Sequence, residues 1–127
     1  WCYTSKKVST ILNKVKGPFN TQSLSQEMAM IALEDKEYLD QIVKNNQVVK
    51  DWFENELRKI NIKTNPSEGN FTFVEMTQEE VKNISSHLAK TGIIVRELGS
   101  YGLPNCLRIT IGTKEEMEAT IHSLKQI

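Results

Sequence analysis

Cysteine is scarce in this chain. Cys2 and Cys106 are the only two, too few for a disulfide framework. A reducing cytoplasm is therefore the expected compartment. An excess of either charge is also lacking: 16 Lys and Arg balance 16 Asp and Glu. That balance favours neither nucleic acid nor an anionic membrane as partner. No apolar run approaches the ~18–20 residues that span a bilayer. A signal peptide and an initiator Met are both missing. The chain opens on Trp1-Cys2-Tyr3, which suggests a piece of something longer.

Several chemical signatures are missing too. There is no Gly-x-Ser-x-Gly around Ser100, no Walker A sequence, and no Gly-x-Gly-x-x-Gly after a strand. His87 and His122 have no cysteine, histidine or carboxylate partner at metal-ligand spacing. The carboxylates fall on solvated helix faces. Internal repeats and low-complexity tracts are absent.

What remains is an ordinary globular composition, 39% hydrophobic and 25% charged over 127 residues, enough for one core. Val8, Ile11, Leu12 and Val15 form a helical stripe that Gly17-Pro18 ends. Ser23-Leu24-Ser25-Gln26 reads as a capping box. Its helix turns Leu24, Met28, Ile31 and Ala32 inward. Asp35 caps a long helix from about 36 to 60, with Leu39, Ile42, Val43, Val49, Trp52, Phe53, Leu57 and Ile60 as its apolar positions. A turn-rich connector, 61–69, leads to an alternating strand over 70–75. Thr77-Gln78-Glu79-Glu80 opens a helix carrying Val81, Ile84 and Leu88, closed by Gly92. Ile93-Ile94-Val95 reads as a short buried strand. A crossing loop and the strand Leu107–Ile111 follow. Thr113-Lys114-Glu115-Glu116 opens a final helix with Met117, Ile121 and Leu124 inward.

The order predicts an α/β (α+β-like) domain: a small mixed sheet of three to four strands with helices packed on one face. The last two strands are antiparallel, because the loop between them is too short for a helical crossover. The first two, separated by a helix, are expected to be parallel. Residues 1–22 read as a helix plus linker, and 23–127 as the main domain.

Function concentrates in the stretch 96–113. Leu107, Ile109 and Ile111 share one face of a strand, and Arg108 and Thr110 the other. Arg96 ends the preceding strand. Tyr101 and Asn105 lie in the loop between. An arginine on a strand is ordinarily a solvated surface residue. Here it adjoins a loop bent by Gly99, Gly102 and Pro104, and its planar guanidinium matches a carboxylate through two parallel hydrogen bonds. The residues thus point to an anion-recognising domain without a complete catalytic set.

From Arg96-Glu97-Leu98-Gly99-Ser100-Tyr101-Gly102-Leu103-Pro104-Asn105-Cys106-Leu107-Arg108-Ile109-Thr110-Ile111-Gly112-Thr113 through Met117, the chain resembles the C-terminal signature of the histidinol-phosphate aminotransferase family, within the fold-type-I class II aminotransferases. Pro18-Phe19-Asn20 with Ser23-Leu24-Ser25-Gln26, Asn70-Phe71, and Gly92-Ile93-Ile94-Val95-Arg96 are similar to it as well. The likeness covers essentially the whole chain. It implies a small domain (23–127) preceded by a tail of the large domain (1–22). It also implies a parent enzyme that uses pyridoxal phosphate and moves an amino group between L-histidinol phosphate and 2-oxoglutarate. The parent would act on small amino-acid and phosphate substrates as a cytoplasmic homodimer. Arg108 would grip the substrate carboxylate, and Arg96 would lie near the phosphate end. The Schiff-base lysine and most cofactor contacts would belong to the large domain, so this chain alone is expected to be inactive. The alternatives are the small domain of another class II aminotransferase, a free-standing anion-sensing domain, and an interaction module that self-associates through 1–22 and the neighbouring helix.

Overall fold

A computed structural model describes residues 2–127; Trp1, the first residue of the expected tail, lies outside them. The chain divides into two compact units, one up to Leu39 and one from Asp40 to Ile127.

The first unit is helical. Helix α1 spans Lys6–Val15, and the Ser5 hydroxyl accepts from the Val8 amide. Its C-cap is Lys16 in an extended conformation, and Gly17 is not left-handed. The cap expected from Gly17 is therefore not made. Helix α2 spans Ser23–Glu34, with Gln22 at its N-cap and no side-chain cap. The Ser23 box is a correction: Ser23 already lies inside the helix, and the Gln26 side chain donates instead to the Thr21 carbonyl at 3.3 Å. The inward face assigned to α2 is a second correction. Leu24, Met28 and Ile31 are each more than 60% exposed, and Val8, Ile11, Leu12 and Val15 of α1 are exposed too. Periodicity reports an amphipathic face but not what covers it.

Helix α3, Lys36–Lys59, runs across the boundary between the units. The Asp35 carboxylate accepts from the Tyr38 amide at 3.0 Å, the expected cap. Within the second unit, α3 buries Lys50, Phe53 and Leu57. Strand β1 (Thr64–Asn65) and β2 (Phe71–Glu75) follow, then α4 (Gln78–Lys90), β3 (Arg96–Glu97), a 3₁₀ turn at Gly99–Tyr101, β4 (Cys106–Thr110) and α5 (Lys114–Leu124). The sheet order is β1-β2-β4-β3.

Every ladder is antiparallel, so the expected mixed sheet is corrected. Strands β2 and β3 do run in the same direction, but β4 lies between them and pairs with both. The strand expected at Ile93–Val95 is displaced to Arg96–Glu97, and Ile94 is 82% exposed. Strand β1 falls inside the stretch read as a connector; two residues carry too little alternation to register as a strand.

Both remaining capping boxes are made. Thr77 and Glu80 exchange side-chain and backbone hydrogen bonds, as do Thr113 and Glu116. Gly92 follows α4 at φ +82°. Its amide donates to the Ala89 carbonyl at 3.1 Å, and the Ile93 amide reaches back to Leu88 at 2.9 Å. That left-handed turn ends the helix as expected.

The core lies on one face of the sheet. Phe53 and Leu57 from α3, Val81 and Leu88 from α4, and Met117, Ile121 and Leu124 from α5 pack with Val74, Leu107, Ile109 and Ile111. Each such large side chain taken from water contributes about 1.5–3 kcal/mol. Alternation along β4 then turns Arg108 and Thr110 outward. Burial of Leu107 and Ile109 thus fixes which way the arginine points.

Candidate anion site on the open face of the sheet

Register makes the site. Arg96 is the direct cross-strand partner of Arg108, and Phe73 is its partner on the other side. Directly opposed residues share a face. The open face therefore carries Arg96, Arg108 and Phe73 in one row, with Phe71 and Thr110 paired in the next.

The guanidinium of Arg108 sits 5.6 Å from the centroid of the Phe71 ring, and that of Arg96 5.7 Å from Tyr101. An Arg96 Nη2 also points to the Tyr101 hydroxyl at 3.5 Å. Both arginines are exposed. Two permanent charges thus stand side by side, and neither forms an ion pair among the described residues. Such opposition is unfavourable by itself.

The loop that separates β3 from β4 is held by its own backbone. The Leu98 carbonyl accepts from Tyr101 at 2.9 Å and from Leu103 at 3.2 Å, and the Leu98 amide donates to Cys106 at 3.2 Å. Gly102 takes φ +77°, where only glycine avoids a penalty. Leu98 is buried and anchors the bend. The Asn105 Nδ2 donates to Glu75 at 3.2 Å, and Glu75, two residues beyond Phe73 on β2, shares the face of Arg108. Of the two loop residues, Tyr101 meets Arg96, and Asn105 ties the entry of β4 to β2.

Cys106 is buried. Burial first, and the nearby Glu75 carboxylate second, push its thiol pKa up, the opposite of nucleophile activation. His87 bonds the Ser123 carbonyl at 3.1 Å and links α4 to α5. No cluster of three or more His, Cys, Asp or Glu suited to a metal occurs among the described residues.

Pyridoxal phosphate, implied by the resemblance, needs an available lysine amine and a cradle for its phosphate and ring. Lys50 is the one buried lysine among the described residues, and its amine is already committed to the Ser67 carbonyl. The two arginines lie on an exposed surface rather than in an enclosure. The residues described here do not by themselves form a site for that cofactor.

Sequence reasoning missed Phe71 and Phe73 as parts of this face. Their signal was present in the alternation of β2, but it needed the β2–β4 register to acquire meaning.

The antiparallel sheet with helices on one face is the architecture of fold-type-I aminotransferase small domains. It superposes on the histidinol-phosphate aminotransferase of Sinorhizobium meliloti, solved in complex with pyridoxal-5'-phosphate, with a TM-score of 0.87. That match is 21% identical and covers 94% of this chain and 33% of that one. The chain belongs to the family described as aminotransferase class I and II, which matches residues 1–124. Among curated relatives, it is similar to the histidinol-phosphate aminotransferase of Akkermansia muciniphila, 37% identical over 120 residues, 94% of this chain and 32% of that enzyme. It is similar also to that of Paramagnetospirillum magneticum, 33% identical over 129 residues, 99% of this chain and 36% of the enzyme. The chain therefore spans about a third of the length of these relatives.

Proposed function

We propose that this chain serves as the small domain of a histidinol-phosphate aminotransferase, with residues 23–127 as that domain and 1–22 as a tail of the large one. The observation that carries the reading is the unneutralised pair Arg96 and Arg108, opposed across one ladder on a solvent-facing sheet surface. Arg108 holds the carboxylate of the amino-acid substrate by two parallel hydrogen bonds, and Arg96 meets the phosphate end. Their adjacency makes one cationic patch that fixes the orientation of a small anionic substrate. The parent enzyme uses pyridoxal phosphate, transfers the amino group between L-histidinol phosphate and 2-oxoglutarate, and acts as a cytoplasmic homodimer. The 127-residue chain alone supplies no lysine poised for the cofactor and does not transaminate.

Two experiments test this. Exchanging the matching third of the Akkermansia muciniphila enzyme for this chain should preserve turnover of histidinol phosphate. Arg108→Gln in that chimaera should lower kcat/KM for 2-oxoglutarate, the substrate that carries the carboxylate, by roughly 10- to 100-fold, the value of one charge-assisted, bidentate contact. A folded chimaera whose activity ignores Arg108→Gln sinks the assignment. Separately, borohydride trapping of this chain with pyridoxal phosphate should give no stoichiometric, site-specific adduct; such an adduct would overturn the inactivity.

Free-standing anion sensing by the same two arginines is the competing reading. Low-micromolar binding of a phosphate ester by this chain alone, measured by calorimetry, would favour it.

A further inference from the structure

The ring of Phe71 has a neighbour on each side. Toward β4 it faces the Arg108 guanidinium, 5.6 Å from the ring centroid. Toward its own strand entry it leans over Gly69. A Cβ at Gly69 would stand 2.8 Å from Phe71 Cε1 and 3.1 Å from Cδ1, closer than real Cβ contacts allow. Gly69 has no positive φ, so its role is space rather than backbone conformation. The glycine permits the ring to lie where the guanidinium meets it.

Geometry explains why β2 must supply this ring. Phe71 pairs with Thr110, and Arg108 pairs with Phe73. Phe71 is therefore the diagonal neighbour of Arg108 on the same face, within reach of an aromatic and a long side chain. Arg108 has several rotatable bonds, and among the described residues no ion pair restrains it. A flat ring under one side restricts the guanidinium plane and leaves its N–H fork facing outward.

We propose that Phe71, admitted by Gly69, is a positioning residue that pre-orients Arg108 for its anion. This rests on the reading of Arg108 as an anion-binding residue given above. Phe71 touches no substrate in this scheme; it acts through Arg108 by removing side-chain freedom before the anion arrives.

The test uses the full 127-residue chain, with inorganic phosphate as probe and arginine Nε–Hε NMR as readout. In the unsubstituted chain, the Arg108 Hε resonance should carry a ring-current shift and a rigid heteronuclear NOE, and phosphate should move it. In Phe71→Leu both signatures should be lost, and phosphate affinity should fall about two- to fivefold. Phe71→Tyr should restore them. Gly69→Ala should displace the ring and reproduce the loss. Thermal unfolding measured alongside separates a positioning effect from a folding defect, because Phe71→Tyr and Phe71→Leu should differ in the Arg108 signature even at matched Tm. If phosphate fails to move Arg108 in the unsubstituted chain, the anion reading itself falls and takes this inference with it. If phosphate binds there and Arg108→Gln abolishes binding, yet Phe71→Leu leaves affinity and the Nε–Hε signature unchanged, the positioning role alone is overturned.

Discussion

Arg96 lies directly opposite Arg108 across the β3–β4 ladder, and neither meets a carboxylate in an ion pair among the described residues. The pairing costs the fold something, about 0.2–1 kcal/mol for like charges so placed. Each guanidinium recovers about 0.5–1 kcal/mol by lying over a ring, exposed Tyr101 for Arg96 and half-buried Phe71 for Arg108. The ring contacts thus outweigh the repulsion.

Arg96→Gln is accordingly expected to change stability by less than about 0.5 kcal/mol, because repulsion and ring contact are lost together. Its effect should appear in the response to anions. Phosphate at ten times its dissociation constant should stabilise the unsubstituted chain by about 1.4 kcal/mol. The stabilisation should shrink in Arg96→Gln and vanish in the double variant with Arg108→Gln. Urea unfolding with and without phosphate, at fixed ionic strength, measures both. An equal phosphate response in all three proteins would remove the arginines from the site.

Acid should weaken the α4 cap. The Thr77 hydroxyl, then the Thr77 amide, hold the Glu80 carboxyl below its ordinary value of 4.5. Both donors stand 2.7 Å from Oε2. A carboxyl whose folded pKa is depressed contributes stability that is fully present above the unfolded pKa. That contribution is lost as pH falls below 4.5 and through the lower folded value. At pH 7, Thr77→Ala should cost about 1 kcal/mol. Glu80→Gln should flatten the acid limb of the stability profile. Denaturation midpoints from pH 7 to pH 3 check the sign: a gap between Glu80→Gln and the unsubstituted chain that widens in acid would contradict it.

The two thiols should separate cleanly by reactivity. Cys2 is exposed and Cys106 buried, with its thiol pKa raised by burial and by Glu75. A disulfide reagent at pH 8 should consume one thiol at once and the second only on unfolding. Two equally fast thiols would contradict the burial of Cys106.

The sequence carried much of this on its own. Helices α3, α4 and α5 were legible because their caps are local chemistry. Asp35, Thr77 and Thr113 each reach an amide three residues along, and no distant residue is needed. The two faces of β4 were equally legible, since period-two alternation puts Arg108 outside wherever Leu107 and Ile109 go inside. Failures came where local pattern was silent or had no partner. Ser23 matched a capping box but lies within α2. The apolar stripe of α2 predicted burial that the described residues do not supply.

Register was the decision left to tertiary structure. A chain read linearly has Arg96 and Arg108 at opposite ends of a loop, and Phe71 far from both. Antiparallel pairing of β4 with β2 on one side and β3 on the other sets all three on one surface. The physical reason is that hydrogen-bonded ladders form between strands remote in sequence. Hydrophobic alternation can specify which face a residue takes, but only the paired strands determine its neighbours.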